Sequence, residues 1–287
     1  MATTTGRSDK KQAKRILVPT DFTKVVDYAM DHAVKLAKVI GAEVHLLHMV
    51  QHMDEQDAME RRMQAEKERC QAINAKVPIH TLVRKGRVYT GIGKAADEIG
   101  AELIIMGTHG MRGMQFITGS RALRMVLNSR VPFIVVQERG MRAGGYRDIV
   151  VPMDLQRETR QSVTLVAGMA SYFNSRVHVI VPRESDKLLR RTLQDNIVFA
   201  KKYFEGRGIP MEATEAVRGK GFVKAVLDHA KAIDADLIAV MNMVGTNIFG
   251  ALGVPYEEDI ITNKASIPVM MLNPVKDTTG AGGWTFQ

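Results

Sequence analysis

The chain has 287 residues, of which 45% are hydrophobic and 25% charged, a balance typical of a globular protein with one large or two ordinary domains. It contains no run of about 18 apolar residues, and its basic start lacks an apolar core, so neither a membrane span nor a signal peptide is predicted. The net charge of +9 is spread out and has few aromatic residues nearby, which argues against nucleic acid and suits a small anion. The single cysteine, Cys70, cannot form an internal disulfide; it is interpreted as a spare helix residue and fits a cytoplasmic location.

Short apolar runs alternate with amphipathic segments along the first 137 residues. In chain order, the predicted strands are 15–19, 42–50, 79–86, 101–107 and 131–136. Helices are predicted between them at 20–41, 54–76, 90–100 and 120–129. The third of these is weakened by Gly91 and Gly93. The alternation predicts right-handed βαβ connections and a five-stranded parallel sheet covered on both faces, as in a Rossmann-like α/β fold.

An internal repeat organises the whole chain. Three segments recur in the same order at offsets of 133, 134 and 136 residues: 15–22 as 148–155, 100–107 as 234–241, and 129–137 as 265–273. The sequence therefore predicts two tandem αβ domains, with boundaries as follows: a disordered tail 1–12, a first domain 13–137, a glycine-rich linker 138–145, a second domain 146–274 and a disordered tail 275–287.

A glycine-rich stretch follows the fourth predicted strand. Gly107, Gly110, Gly113 and Gly119 are followed by Ser120, which is predicted to open a helix. Glycine permits a positive φ and lets backbone amides approach an anion, while a helix N-terminus favours negative charge. A charged donor for phosphate could come from Arg112 or Arg121. An ordinary glycine turn with a serine cap remains the alternative, and neither a Walker A loop nor the dinucleotide fingerprint is present.

Asp21 favours the ligand-binding alternative. It follows the first predicted strand, near the point where the strand order of such sheets reverses and ligands bind. Its carboxylate can accept hydrogen bonds from ribose hydroxyls or an adenine amino group. A Thr-Asp pair is also a common helix N-cap, and the two roles are compatible if Thr20 caps while Asp21 points into the cleft.

Five segments together resemble the universal stress protein family in its tandem form: "ILVPTDF", "LLHMV", "LIIMGTHG", "TGS" and "VPFIVV". The resemblance covers about residues 13–137 and 146–274. It implies an adenine-nucleotide α-hydrolase-like fold of five parallel strands per domain. It also implies binding of ATP or AMP, with Mg²⁺ able to accompany ATP. The family's nucleotide motif is G-x2-G-x9-G-[ST], and here eight residues, 111–118, stand where the motif has nine.

Carried over position by position, the resemblance implies a nucleotide site in the first domain. Its expected residues are Asp21 at adenine or ribose, Met49 in the adenine pocket, Met106 and Gly107 at the ribose, and Gly110, Gly119, Ser120 and Arg121 at the phosphates. The histidine of the "GTHG" segment, His109, is interpreted as structural. The many methionines are interpreted as flexible core filling or, near the loop, as adaptable contacts with a purine.

The second copy departs further from this pattern. Asp154 matches Asp21, but Met241 replaces Gly107 and the Gly-Ser helix opening is missing. The acidic stretch 257–259 stands where the first copy has Arg121 and would repel phosphate. The second domain is therefore interpreted as a scaffold, although its own glycines leave a weaker site for something other than ATP open.

No catalytic or metal constellation is visible in the sequence. His45 and His48 lie three apart on a predicted strand, so they face opposite sides and cannot easily share a metal. The predicted function is a stress-response regulator that binds adenine nucleotide and is at most a slow ATP hydrolase. The alternative is a stress-response interaction module that binds no nucleotide, and in either case the protein partner is unidentified.

The fifth predicted strand of each domain, 131–136 and 267–272, needs a neighbour because an exposed apolar strand invites aggregation. Single-domain members of the family commonly dimerise through their last strands. The two domains are therefore predicted to pack as a pseudo-dimer with the fifth strands at the interface. Closed two-fold dimers are the commonest assembly, which leaves a homodimer of the whole chain open.

Overall fold

A computed structural model of the chain describes residues 13–52, 55–108, 125, 129–155, 159–217, 219, 221–241 and 257–273. The strands are β1 Lys14–Pro19, β2 Ala42–Val50, β3 Ile79–Lys85, β4 Leu103–Gly107, β5 Phe133–Val136, β6 Asp148–Pro152, β7 Arg176–Val181, β8 Met211–Glu215, β9 Leu237–Met241 and β10 Val269–Leu272. The helices are α1 Val25–Ile40, α2 Gln56–Ile73, α3 Val88–Ile99, α4 Thr159–Phe173, α5 Lys187–Glu205, α6 Phe222–Ala232 and α7 Glu257–Ile261. The predicted tails 1–12 and 275–287, and most of the predicted helix 120–129, lie outside the described residues.

The ten strands found in the described residues form one sheet in the order β3-β2-β1-β4-β5-β10-β9-β6-β7-β8. Counted within each half, both copies have the strand order 3-2-1-4-5, and all pairings within a half are parallel. The repeat is exact at the centre of each half: Ile16 pairs with Leu103 as Ile149 pairs with Leu237, at offsets of 149 − 16 = 133 and 237 − 103 = 134. The predicted α/β class and the five parallel strands of each half are confirmed, and the two halves share one continuous sheet.

The two halves join through their fifth strands, as predicted. β5 and β10 pair antiparallel, with Ile134 opposite Met270. Antiparallel pairing of two equivalent strands relates the halves by a near two-fold axis. A side-chain hydrogen bond closes each end of this seam: Gln137 Nε2 donates to the Asn263 carbonyl at 3.0 Å, and Asn273 Nδ2 donates to the Ser129 carbonyl at 2.6 Å.

The hydrophobic core lies on both faces of the sheet because successive strand residues point to opposite sides. Ile16 and Val18 pack with the buried residues of α1, α2, α4 and α5, whereas Leu17 packs with those of α3, α6 and α7. All described residues of β4, β5, β9 and β10 are buried, as expected for the central strands of a doubly covered sheet. Cys70 of α2 is also buried, and burial raises the pKa of its thiol to about 12. No helix in the described ranges has the length and apolar content to cross a bilayer.

The segment predicted as the linker, 138–145, is held against both halves. Asp31 Oδ2 on α1 accepts a hydrogen bond from the Met141 amide at 2.8 Å, and the Met141 carbonyl accepts one from Lys35 Nζ, also at 2.8 Å. Arg142 forms an ion pair with Asp234 of the second half. These contacts fix the segment along the junction. The domain boundaries themselves stay predictions.

The predicted first helix, 20–41, begins later than its pattern indicates. α1 starts at Val25, after a turn formed by residues 20–24. It ends at Ile40 and is capped by Gly41, whose φ is 69°, close to the end that the sequence indicates. The interpretation of Thr20 as the helix cap is wrong, because the N-cap is Lys24 and no side chain caps the helix. The other strands and helices predicted within the described residues of the first half are displaced by only a few residues.

Candidate functional site

The carboxyl ends of β1 and β4 lie side by side at the point where the strand order of the first half reverses. The register that pairs Leu17 with Ile104 brings the end of β1, at Pro19, beside the end of β4, at Gly107. The segment after β1 leads into α1 on one face of the sheet, whereas Met125, which follows β4 in the chain, packs in the core cluster on the other face. In open α/β sheets, connections that leave neighbouring strands toward opposite faces form a crevice at the strand-order reversal. Asp21, two residues beyond β1, stands at this position.

A tight turn fixes the Asp21 backbone and carboxylate. Thr20 Oγ1 accepts a hydrogen bond from the Phe22 amide at 3.0 Å. Asp21 Oδ1 accepts two, from the Thr23 amide at 3.0 Å and from the Thr23 hydroxyl at 2.5 Å. Such side-chain-to-backbone bonds make an alternative to helix, which explains why α1 starts only after them. The bonds to Thr23 use only Oδ1, so Oδ2 of the half-exposed Asp21 is available to a ligand.

Phe22, the residue after Asp21, has an uncommon backbone conformation and packs its ring on the side chains that hold the turn. Its φ is 63°, in the left-handed region that bulky residues rarely adopt. The ring packs on the imidazole of His48 with centroids 4.6 Å apart, and the Arg62 guanidinium lies 3.9 Å from the ring centroid. His48 Nδ1 is in turn 2.8 Å from the Thr20 carbonyl. Strain of this kind persists only where surrounding contacts hold it, and here it is found next to Asp21.

Met49 lies near the end of β2 on the opposite face of the sheet from His48. Its side chain packs into the cluster beneath α3, where its methyl carbon occupies the space beside Gly91. A Cβ at Gly91 would lie 2.3 Å from that methyl, so the glycine makes room for Met49. Although Gly91 weakens α3 by propensity, the helix forms because Ile92, Ala95 and Ala96 bury its apolar face.

Met106 and Gly107 end β4 and are both buried. Met106 belongs to the core cluster on the α3 side of the sheet. Gly107 contacts the first turn of α1: a Cβ there would be 3.0 Å from the Val25 carbonyl oxygen and 3.1 Å from its carbonyl carbon. The absence of a side chain at Gly107 thus lets α1 pack closely against the end of β4.

We expect Gly107→Ala to lower the free energy of unfolding by about 1–3 kcal/mol, because the added methyl meets backbone that can move only with the whole helix. Gly91→Ala is the matched control, since its methyl meets only the flexible end of Met49 and alanine favours the helix by about 1 kcal/mol. Denaturant unfolding measures both. Equal stability of Gly107→Ala and the wild type would show that the close contact is not needed.

The remaining expected site residues, Gly110, Gly119, Ser120 and Arg121, lie outside the described residues, as does His109. The structure thus brings Asp21 close to the carboxyl end of β4. It places Met49 at the carboxyl end of β2, the strand on the other side of β1. Thr20, Phe22 and His48, which hold the turn, are contributions that hydrophobic periodicity does not reveal.

The equivalent edge of the second half has a different environment. Asn196, a buried residue of α5, donates from Nδ2 to the Asp154 carbonyl at 2.9 Å and accepts at Oδ1 from Arg160 Nε at 2.8 Å. At Asp21, the residues that the structure describes show no such pair, and the turn is held by Thr20 and Thr23. The loop after Met241 lies outside the described residues.

Comparisons with known proteins agree with this architecture. The model of the universal stress protein family matches residues 12–137. A universal stress protein of Methanocaldococcus jannaschii is 30% identical over 147 residues, covering 46% of this chain and 86% of that protein. Among solved structures, a universal stress protein from Archaeoglobus fulgidus has the same fold with a TM-score of 0.70 at 16% identity, over 92% of this chain and 97% of that chain. Another from Archaeoglobus fulgidus, in complex with dAMP, covers 42% of this chain and 96% of that chain with a TM-score of 0.35 and 21% identity.

Proposed function

The chain belongs to the universal stress protein family, and we propose that its first half binds an adenine nucleotide, ATP or AMP, at the crevice between β1 and β4. We propose that it acts as a stress-response regulator and not as a fast enzyme. A cytoplasmic location suits a chain whose single cysteine is a buried, protonated thiol.

One observation carries the proposal: Asp21 stands at the strand-order reversal with a carboxylate oxygen free of the Thr23 bonds. Ligands of open α/β sheets bind at this position, beyond the carboxyl ends of the strands. A half-exposed carboxylate held by a rigid turn can accept hydrogen bonds from vicinal ribose hydroxyls or from an adenine amino group without first being ordered, which reduces the entropic cost of binding.

The other expected residues fit around this anchor as proposals. Met49 would contact the adenine with an adaptable thioether, while Met106 and Gly107 form the floor near the ribose. The glycine stretch that follows would direct backbone amides at the phosphates through Gly110 and Gly119. Ser120 and Arg121 would add a hydroxyl and a charged donor at the start of the next helix. Mg²⁺ can accompany ATP.

The polar groups described around Asp21 serve to hold its turn. Asp21 accepts two bonds from Thr23 through one oxygen, and His48 is bonded to the Thr20 carbonyl. We propose that the protein acts in binding and regulation, with ATP hydrolysis slow at most.

We expect Asp21→Ala to weaken ATP binding roughly 5- to 150-fold, the equivalent of about 1–3 kcal/mol for a lost hydrogen bond to a desolvated ligand group. Asp154→Ala, at the equivalent position of the second half, is the matched control and should leave ATP affinity unchanged. Isothermal titration calorimetry on both variants measures the difference. Unchanged affinity of Asp21→Ala would remove this carboxylate from the site.

The competing function is an interaction module that binds no nucleotide. It is favoured by the loop 111–118, which is one residue shorter than the family motif and would misplace the phosphate ligands. Purified protein distinguishes the two functions, because bound nucleotide gives excess absorbance at 260 nm and is identified by mass spectrometry.

A further inference from the structure

Three potential metal ligands lie together near the amino ends of the strands of the first half, whereas the proposed nucleotide site is at the carboxyl ends. Glu43 and His45 are near the amino end of β2, two residues apart and thus on the same face. His80 is near the amino end of β3, and the parallel register places it directly beside His45. One ligand atom from each of the three residues lies within 4.8 Å of the others.

The distances are close to those of a tetrahedral ion. Glu43 Oε2 is 3.5 Å from His45 Nε2 and 3.8 Å from His80 Nε2. Two ligands of a tetrahedral zinc ion, each about 2.0–2.1 Å from the metal, are about 3.3 Å apart. The imidazole rings stack with centroids 4.7 Å apart, so a modest rotation of each ring would direct both Nε2 atoms at one ion. The His80 side chain is 49% exposed, which gives it this freedom and gives an ion access.

His45 is the least exposed side chain of the cluster. Burial and the neighbouring His80 lower the pKa of His45, and Glu43 opposes this. His45 Nδ1 is buried and has no hydrogen-bond partner among the described residues. In the absence of an ion, Arg15 provides the counter-charge, with Nε 3.7 Å from Glu43 Oε2 and Nη1 donating to the Ile99 carbonyl.

The second half contains the same positions with their chemistry changed. His178 replaces His45 and lies beside Glu212, in the position of His80. Arg176 replaces Glu43, and its strand neighbour Asp148 replaces Arg15. Both ring nitrogens of His178 are occupied, Nδ1 by Glu212 at 2.5 Å and Nε2 by Asp148 at 2.8 Å. Burial raises the pKa of Asp148, but the hydrogen bond from His178 and the charge of Arg176 outweigh it and hold this pKa below its usual value. In the second half, hydrogen bonds therefore occupy the histidine nitrogens that a metal ion would need.

We propose that Glu43, His45 and His80 bind one divalent ion of the zinc class, with water completing the tetrahedron. Two imidazoles and one carboxylate are ligands that zinc accepts, and a single carboxylate with neutral histidines does not suit calcium or magnesium, which take oxygen ligands. The site is at the amino ends of β2 and β3, so it is separate from the proposed nucleotide site at the carboxyl ends of the strands. A bound ion would link β3, the outermost strand of the sheet, to β2.

Calorimetric titration of the full-length, tag-free and nucleotide-free protein with zinc sulfate tests the proposal. We expect one ion per chain and at least about tenfold weaker binding for His80→Ala and for Glu43→Gln. His80 is half-exposed, so its replacement leaves the core intact, and circular dichroism checks the fold. His52→Ala, at an exposed histidine after β2, is the matched control and should bind zinc as the wild type does.

Cobalt in place of zinc provides a second readout, because tetrahedral Co²⁺ has an intense visible spectrum that should be lost in His80→Ala. Failure of the wild type to bind zinc would overturn the proposal. Undiminished binding by His80→Ala and Glu43→Gln, or an equal loss in His52→Ala, would overturn it as well. None of these outcomes depends on whether the protein binds nucleotide.

Discussion

A fragment of residues 1–140 should self-associate, because it lacks the strand that pairs with β5 in the full-length chain. In the whole protein, β5 pairs with β10, and all its residues are buried. The fragment retains β5 but loses its partner, which leaves unpaired amides and carbonyls on an apolar edge strand. The nearest available replacement is β5 of a second fragment, because its sequence suits the same antiparallel geometry.

Sedimentation velocity at tens of micromolar measures this, with the full-length chain run alongside as the control. We expect the fragment to sediment as a dimer or to aggregate. A well-behaved fragment monomer at that concentration would count decisively against a sheet that depends on the β5–β10 seam. A second association of the full-length chain into a homodimer stays a separate prediction.

The second large effect is a loss of stability in weak acid, caused by His32 at the junction of the halves. This buried side chain on α1 has Nε2 at 3.0 Å from the Arg139 carbonyl and Nδ1 at 2.8 Å from the Tyr146 hydroxyl. Nε2 therefore carries the proton and Nδ1 accepts one from Tyr146, which is the neutral form of the ring. Burial lowers the pKa of His32 from 6.5 to about 4, outweighing the opposing Arg139 carbonyl bond.

The sign of the effect follows from proton binding. Between about pH 6.5 and pH 4, the unfolded chain binds a proton at His32 that the folded chain does not, so stability falls as the pH falls through this window. The difference in pKa amounts to roughly 3 kcal/mol, fully present above the unfolded pKa. Urea unfolding at a series of pH values measures the slope, and His32→Gln, which cannot titrate, is the control. A wild-type slope identical to that of His32→Gln would contradict this assignment.

The strands could be predicted from the sequence because short, continuous apolar runs such as 103–106 and 133–136 are typical of strands in a sheet that is covered on both faces. The repeat predicted the pairing of the halves, since a second copy supplies the neighbour that an apolar edge strand requires. Hydrophobic pattern failed at residues 20–24, where side-chain bonds from Thr20 and Asp21 compete with the helix that the pattern indicates.

The proposed metal site could not be recognised from the sequence for a different reason. In the sequence, the histidine nearest to His45 is His48, which faces the opposite side of the strand. The histidine that lies beside His45 in the structure is His80, which is 35 residues away in the chain. Adjacent strands bring such residues together only once their register is known. Alignment of the two predicted strands from their starts, Ala42 and Ile79, would have placed both histidines near the same end, which is the signal that was available.

Nucleotide binding by the first half alone is tested by the stoichiometry of ATP binding to the full-length chain. We expect calorimetric titration to give one site per chain, because Asp21 and the glycine stretch from Gly107 to Ser120 occur together only in the first copy. Two equal sites per chain, or no binding at all by protein free of nucleotide, would refute this assignment.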